Sequence, residues 1–161
     1  MEIFKPNARF NKITDIKPEF LKENNIKGLI LDVDNTLITL DKEPLEDVEK
    51  WILKMKESGF KICIASNSIH KTRVKTIADE LEIPYIYFSI KPMKRGLKKA
   101  MEILELEPQY IAEIGDQVFT DVMGANRMQM FTILTEPISP EKFHVGRVKR
   151  RIEKRVLKDK K

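Results

Sequence analysis

Apolar and polar positions along the chain follow two alternating periods. GLILDV (28–33) is a continuous apolar run that ends in acid, the pattern of a strand covered on both faces. FKICIAS (60–66), YIYF (85–88), YIAEIG (110–115) and MFTILT (130–135) are further short runs that read as strands. Between them the spacing lengthens to that of helices. Val48, Trp51, Ile52 and Met55 recur at i, i+3, i+4 and i+7 in PLEDVEKWILKMKESG (44–59), with Gly59 as the stop. Val74, Ile77, Ala78 and Leu81 share a face of IHKTRVKTIADELE (69–82), which Pro84 closes. PMKRGLKKAMEILE (92–105), with Pro92 as its first helical residue, FTDVMGANRMQ (119–129) and a basic segment over about 140–158 complete the helices.

Strands alternating with helices predict an α/β fold with a parallel sheet of about five strands between two helical layers. The expected organisation is an N-terminal arm (1–25), a core domain (26–138) and a basic C-terminal helix (139–161). In such sheets ligands bind beyond the carboxyl ends of the strands. Polar residues collect at those ends. The first strand ends in Asp32-Val33-Asp34, the second in Ser66-Asn67, the third leads to Lys91, and the fourth ends in Gly115-Asp116 with Asp121 shortly after. Because side chains alternate along an extended segment, Asp32 and Asp34 share a side while Val33 turns to the core.

Taken singly, each of these residues has an ordinary explanation, since Asp, Asn and Ser after a strand commonly cap a helix or make a turn. Their joint occurrence points to chemistry. Clustered carboxylates repel unless a cation sits among them, and a site without clustered His or Cys suits a hard ion such as Mg²⁺. His70 and His144 fall outside the pattern. A metal, a lysine and a hydroxyl around two acids would accommodate a phosphoryl group. One acid can attack phosphorus while the other handles protons. No GxxxxGK[ST] loop, internal repeat or low-complexity tract competes with this reading.

At these residues the chain resembles the haloacid dehalogenase (HAD) superfamily of aspartate-dependent phosphatases. The motifs Asp32-Val33-Asp34-Asn35-Thr36, Ser66-Asn67, Lys91 and Gly115-Asp116-Gln117-Val118-Phe119-Thr120-Asp121 occur in that family's order, over about residues 26–135. Asn35 stands where many relatives have Gly. With DNTL, SNS, KP and GDQxxTDxxGAN, the chain is similar to the IIIA branch, and within it to YqeG-like members related to phosphatidylglycerophosphate phosphatases.

The resemblance implies a HAD-like Rossmannoid three-layer sandwich and an aspartyl-phosphate mechanism dependent on Mg²⁺. Asp32 would be the nucleophile and Asp34 the general acid and base. Asp32, Asp34 (through its backbone carbonyl), Asp116 and Asp121 would form the metal site. Ser66, Asn67 and Lys91 would hold the phosphate, with Asn35 and Thr36 supporting the loop. The branch favours Lys-Pro at this point, which selects Lys91, but the sequence alone leaves Lys94 open.

About 30 residues separate Asp34 from Ser66, enough for a helix and a strand and no cap domain. An uncapped site suits a large or surface-borne substrate, and phosphatidylglycerophosphate leads the expectations. A soluble sugar or nucleotide phosphate is the rival substrate, and a non-catalytic protein binding RNA or a partner is the rival class.

Charge bears on this choice. Residues 142–161 hold ten Lys or Arg against Glu153 and Asp159, a net of +8, so the overall +5 belongs to the tail and the rest of the chain is acidic. Val145, Val148, Ile152 and Val156 form one helical stripe among those cations. Three readings stay open: the helix lies on an anionic bilayer, contacts RNA phosphates, or docks on its own core.

The remaining composition, 42% hydrophobic and 34% charged, is that of a globular protein. Apolar runs fall short of the roughly 18–20 residues of a membrane span. The first residues lack a signal peptide's apolar core, and Cys63 is the sole cysteine, so the expected location is the cytoplasm. The lipid reading adds peripheral attachment at the inner membrane face.

Overall fold

The structure, a computed structural model, describes residues 2–38, 47–139 and 144–158, with side chains excluded over 144–149. Among these residues, six strands form one wholly parallel sheet: β1 (Ala8–Phe10), β2 (Gly28–Leu31), β3 (Lys61–Ala65), β4 (Tyr85–Ile86), β5 (Ile111–Gly115) and β6 (Phe131–Thr135). Their spatial order is β1-β6-β5-β2-β3-β4, each neighbouring pair parallel. Every residue of β2 is buried, as a strand covered on both faces must be. Leu29 and Leu31 pack to one side with Ile62, Ile64 and Ile114, while Ile30 packs to the other with Cys63 and Ala65.

Two helical layers cover these faces. On the first side, α1 (Pro18–Glu23), α2 (Val48–Glu57) and α3 (Lys71–Leu81) bury Leu21, then Val48, Trp51, Ile52 and Met55, then Val74, Ala78 and Leu81. The expected 3.6-residue stripes are thus the buried faces. On the second side, α4 (Lys94–Leu104) buries Leu97, Ala100 and Leu104, beside Ala125 of α5 (Met123–Arg127). A basic helix, α6 (His144–Lys158), ends the described chain. Among the described residues, no helix is long and apolar enough to cross a membrane.

Several elements differ from expectation. The sheet has a sixth strand because Ala8–Phe10 pairs with β6 along Ile133–Thr135. Three residues with an arginine in the middle carry no strand pattern of their own, so this edge is set by pairing rather than by local sequence. The N-terminal residues also bury Ile13, Ile16 and Leu21 in the first core. The strand expected over 85–88 stops at Ile86, and Phe88 and Ile90 have positive φ. Pro92 does not begin α4, which starts at Lys94; the Lys91-Pro92 peptide is cis and lies in the preceding turn. The segment after β5 opens as a π-helical turn, Val118–Val122, before α5.

The terminal helix docks through Glu153 and Leu157, while Ile152 of the expected stripe faces outward. Ile152 is 46% exposed, whereas Glu153 is buried and Leu157 packs against Val118, Val122 and Leu134. Charge pairing turns the helix so that Glu153 faces inward. The side chains of Val145 and Val148, and residues 44–46 and 140–143 of two expected helices, lie outside the described set.

Candidate active site

The sheet register brings the polar residues to one edge. Leu31, the last residue of β2, is level with Ile64 on β3 and Ile114 on β5. Asp32, Ser66 and Asp116 therefore leave three adjacent strands at about the same height. The Asp32 backbone N–H donates to the Ile114 carbonyl at 3.0 Å, which ties the acid to the strand end.

Lys91 comes to this edge from the turn before α4, and its side chain is 1% exposed. Its ammonium donates to Asp121 Oδ1 at 2.6 Å, Glu113 Oε1 at 3.2 Å and Asp32 Oδ1 at 3.3 Å. Three N–H bonds thus meet three carboxylates. Asn67 fixes the lysine's main chain from both sides: its Oδ1 accepts the Lys91 N–H at 2.7 Å, and its Nδ2 donates to the Lys91 carbonyl at 3.0 Å. Lys94, the alternative lysine, is exposed on the first turn of α4.

Asp32, Asp116 and Asp121 are all buried, and each places a carboxylate oxygen within 4.8 Å of the others. Gly115 makes this closeness possible, because a Cβ there would collide with the Asp121 carboxylate. Asp121 Oδ2 accepts the Gln117 N–H at 3.1 Å, which closes the turn around the strand end. Asp116 Oδ2 takes a bond from Arg150 Nη2 of α6, and the Asp116 carbonyl takes one from Arg150 Nη1. Asp116 Oδ1 is buried and has no hydrogen-bond partner among the described residues.

Burial dominates the electrostatics. It pushes Asp32 well above the ordinary carboxylate range, reinforced by Asp121 and opposed by Lys91. It raises Asp116 from 3.8 to about 7, although Arg150 opposes the shift. Glu113 is raised for the same reason. Burial works against the charged form of Lys91, but Asp121, Asp32 and Glu113 outweigh it and hold the ammonium well above its ordinary value. Burial thus penalises the ionised form of these acids, and Asp116 Oδ1 has no hydrogen-bond partner among the described residues. An all-oxygen donor set of this kind fits a hard divalent cation, which would be held by Asp32, Asp116 and Asp121.

The other expected residues take distinct places. Asp34 stays out of the carboxylate cluster; its side chain is 38% exposed and pairs with Arg73 of α3. Ser66 is buried at the end of β3, and its hydroxyl accepts the Ser68 N–H at 3.1 Å. The Asn67 amide is engaged with Lys91 as described. Asn35 has φ of +59°, a left-handed conformation that Asn and Gly tolerate better than other residues. Its amide accepts the Ser139 N–H and hydroxyl at 3.0 and 2.8 Å. Thr36 is buried, its hydroxyl without a hydrogen-bond partner among the described residues.

Four residues escape the sequence reading: Glu113, Arg73, Arg150 and Glu153. Glu113 did leave a signal, an acid inside the otherwise buried run of β5, which requires a cationic partner. Arg73 and Arg150 left none, being two among 30 basic residues.

The chain is similar to known phosphatases. The family model described as "Mitochondrial PGP phosphatase" matches residues 1–139. "Probable phosphatase YqeG" of Bacillus subtilis is 39% identical over 157 residues, covering 97% of this chain and 91% of that protein. The chloroplastic/mitochondrial phosphatidylglycerophosphate phosphatase 1 of Arabidopsis thaliana is 28% identical over 95% of this chain, which spans only 47% of that relative's length. A solved HAD superfamily (subfamily III A) hydrolase from Legionella pneumophila superposes with a TM-score of 0.54 at 19% identity, covering 75% of this chain and 71% of that one. At that identity the likeness concerns the fold.

Proposed function

The chain belongs to the PGP phosphatase family, and from that premise we propose a Mg²⁺-dependent phosphomonoester hydrolase of HAD subfamily IIIA that forms an aspartyl-phosphate on Asp32. The observation that carries this reading is the Lys91 ammonium bridging Asp32 and Asp121, which with Asp116 bring carboxylate oxygens within 4.8 Å of one another. A carboxylate, a cation and a metal-fitting donor set share one strand edge. When bound, the divalent cation supplies positive charge that neutralises phosphoryl oxygens.

The chain's own residues do the rest. An Asp32 oxygen bonds to phosphorus as the bond from phosphorus to the alcohol oxygen breaks, and Asp34 gives that oxygen its proton. Asp34 then takes a proton from water, whose oxygen attacks phosphorus. The Asp32–phosphorus bond breaks, and inorganic phosphate leaves. Lys91, locked at its main chain by Asn67, offers charge to the phosphoryl oxygens. Arg73 holds Asp34 at the rim, where a leaving group departs.

The proposed substrate is phosphatidylglycerophosphate at an anionic bilayer. Two features support it beyond the family description. A groove of about 1140 Å³ beside Asp34 is lined by Leu37, Ile38, Val48, Ile69 and Arg73 among others, which suits a large substrate with an apolar part. The exposed face of α6 carries Arg151, Lys154, Arg155 and Lys158 around Ile152, and cations of this kind are attracted to anionic lipid.

Phosphate release from phosphatidylglycerophosphate in vesicles, measured beside a panel of soluble sugar and nucleotide phosphates, tests the reading. Preference for the lipid, dependence on Mg²⁺ and loss in Asp32→Asn are expected. Preference for a soluble phosphate would overturn the substrate, and no turnover on any phosphate would favour a binding protein.

A further inference from the structure

The basic terminal helix lies beyond residues 1–139 that match the family model, yet it reaches the centre of the site. We infer that Arg150 is a positioning residue for the divalent-cation site: it clamps the metal ligand Asp116 so that one carboxylate oxygen stays free for the ion. The inference rests on the metal-site reading above and assigns a role to a residue outside the motifs that define that reading.

The two oxygens of Asp116 are divided between two tasks. Oδ2 and the main-chain carbonyl of Asp116 both accept from the Arg150 guanidinium, a fork that fixes the rotation of the side chain. Oδ1 is buried without a hydrogen-bond partner among the described residues, and it belongs to the residue that shares a carboxylate cluster with Asp32 and Asp121. A buried orphan acceptor is costly, and a cation among the three acids removes that cost. Partners of this kind behind a metal ligand tune affinity by restricting its orientation.

The clamp is itself supported. Glu153, one turn along α6 and 3% exposed, accepts from Arg150 Nη1 at 3.3 Å through Oε2. Through Oε1 it accepts the Phe119 N–H at 3.3 Å, in the π-helical turn that carries Asp121. A further turn on, Leu157 packs against Val118 and Val122 of the same turn. Positions 150, 153 and 157 form one helical face. That face braces the segment bearing two of the three metal acids: Asp116 by charge, and the turn holding Asp121 by a main-chain bond and apolar contact.

A rival role for Arg150 is that of a plug, a guanidinium occupying the place of the ion. The two roles predict opposite effects on metal affinity. The test titrates full-length wild type, Arg150→Ala, Arg150→Lys and Glu153→Gln with Mg²⁺ alone, by calorimetry and by the Mg²⁺-dependent rise in Tm. Circular dichroism without metal confirms that each variant is folded.

The clamp predicts that Arg150→Ala weakens Mg²⁺ binding about 10- to 100-fold. Arg150→Lys recovers part of this, since an ammonium keeps the charge but lacks the planar fork. In hydrolysis of p-nitrophenyl phosphate, the Mg²⁺ concentration for half-activation rises by a similar factor, while kcat at saturating Mg²⁺ stays within a few fold. Unchanged affinity in Arg150→Ala overturns the inference, and tighter binding overturns it in favour of the plug. If Arg150→Ala does not fold, Arg150→Lys decides, equal or tighter affinity in it overturning the clamp. Wild type that binds no Mg²⁺ overturns both this inference and the metal-dependent mechanism. Wild type that binds Mg²⁺ but hydrolyses nothing removes the proposed function alone, and the titrations still decide the role of Arg150.

Discussion

Glu113 Oε1 lies 3.2 Å from Lys91 Nζ, and both side chains are 1% exposed. Glu113 sits inside β5, level with Ile30 of β2, one layer below the strand-end acids. It is therefore an anchor for the lysine that lies away from the phosphate side. Removing one member of a buried pair leaves an uncompensated group, at a cost of about 3–5 kcal/mol. Lys91 keeps Asp121 and Asp32 in Glu113→Gln, so the expected loss is at or below about 3 kcal/mol in urea denaturation. The lysine should also follow its two remaining acids, so kcat should fall more than KM changes. A variant with wild-type stability and kcat would show that the anchor is dispensable.

The buried acids set a pH dependence with a definite sign. Asp116 is ordinarily near 3.8 and is held at about 7 in the fold by burial, so the folded state binds its proton more tightly than the unfolded state. Its contribution is most favourable below 3.8 and is lost progressively as pH rises to about 7. Burial raises Asp32 and Glu113 in the same direction. Metal-free wild type should accordingly lose stability relative to Asp116→Asn between those two pH values, as read from paired thermal melts. Protons compete with the cation for the same oxygens, so Mg²⁺ affinity should rise with pH up to about 7 and then level. A pH-independent difference between the two proteins would contradict the shift.

What the sequence made legible divides along physical lines. Long periodic elements such as α2 and α3 were readable because a 3.6-residue stripe is imposed by the core it packs on. The strand-end acids were readable because a parallel sheet sends adjacent strands to one edge. β1 was not, since Ala8-Arg9-Phe10 becomes a strand only by pairing with β6. The arrest of the third strand at Ile86 depends on backbone conformations, including positive φ at Phe88 and Ile90, that no residue type there announces. Arg150 was the least accessible. A docked cation and a solvated one look alike in a basic helix, and only the inward Glu153 on the same face marks the difference.

Asp34 and Arg73 form a pair at the rim of the site, with side chains 38% and 17% exposed. Half-exposed ion pairs contribute at most about 1 kcal/mol, so Arg73→Ala should leave stability nearly unchanged. Its effect should appear in catalysis. Asp34→Asn is expected to lower kcat about 10²- to 10⁴-fold, the range for a general acid and base, and Arg73→Ala by a smaller factor. Both losses should be greater for an alkyl phosphate than for p-nitrophenyl phosphate, whose leaving group needs no proton. Equal losses on the two substrates would remove Asp34 from the role of acid.

Asn35 offers a way to separate backbone conformation from hydrogen bonding at the loop that carries Asp34. Its φ of +59° is a left-handed conformation, and its Oδ1 accepts from the Ser139 N–H and hydroxyl. Asn35→Gly keeps the first feature and loses the second; Asn35→Ala loses both. Alanine in the left-handed region costs about 1–2 kcal/mol. Loss of the acceptor for the Ser139 groups costs about 1–3 kcal/mol in either variant. Asn35→Ala should therefore be less stable than Asn35→Gly by about 1 kcal/mol, measured as a shift in urea midpoint at constant m. Activity should follow the same order, because a displaced loop moves Asp34 away from the leaving oxygen. Equal stability of the two variants would mean that hydrogen bonds to Ser139, and not the positive φ, are what Asn35 supplies.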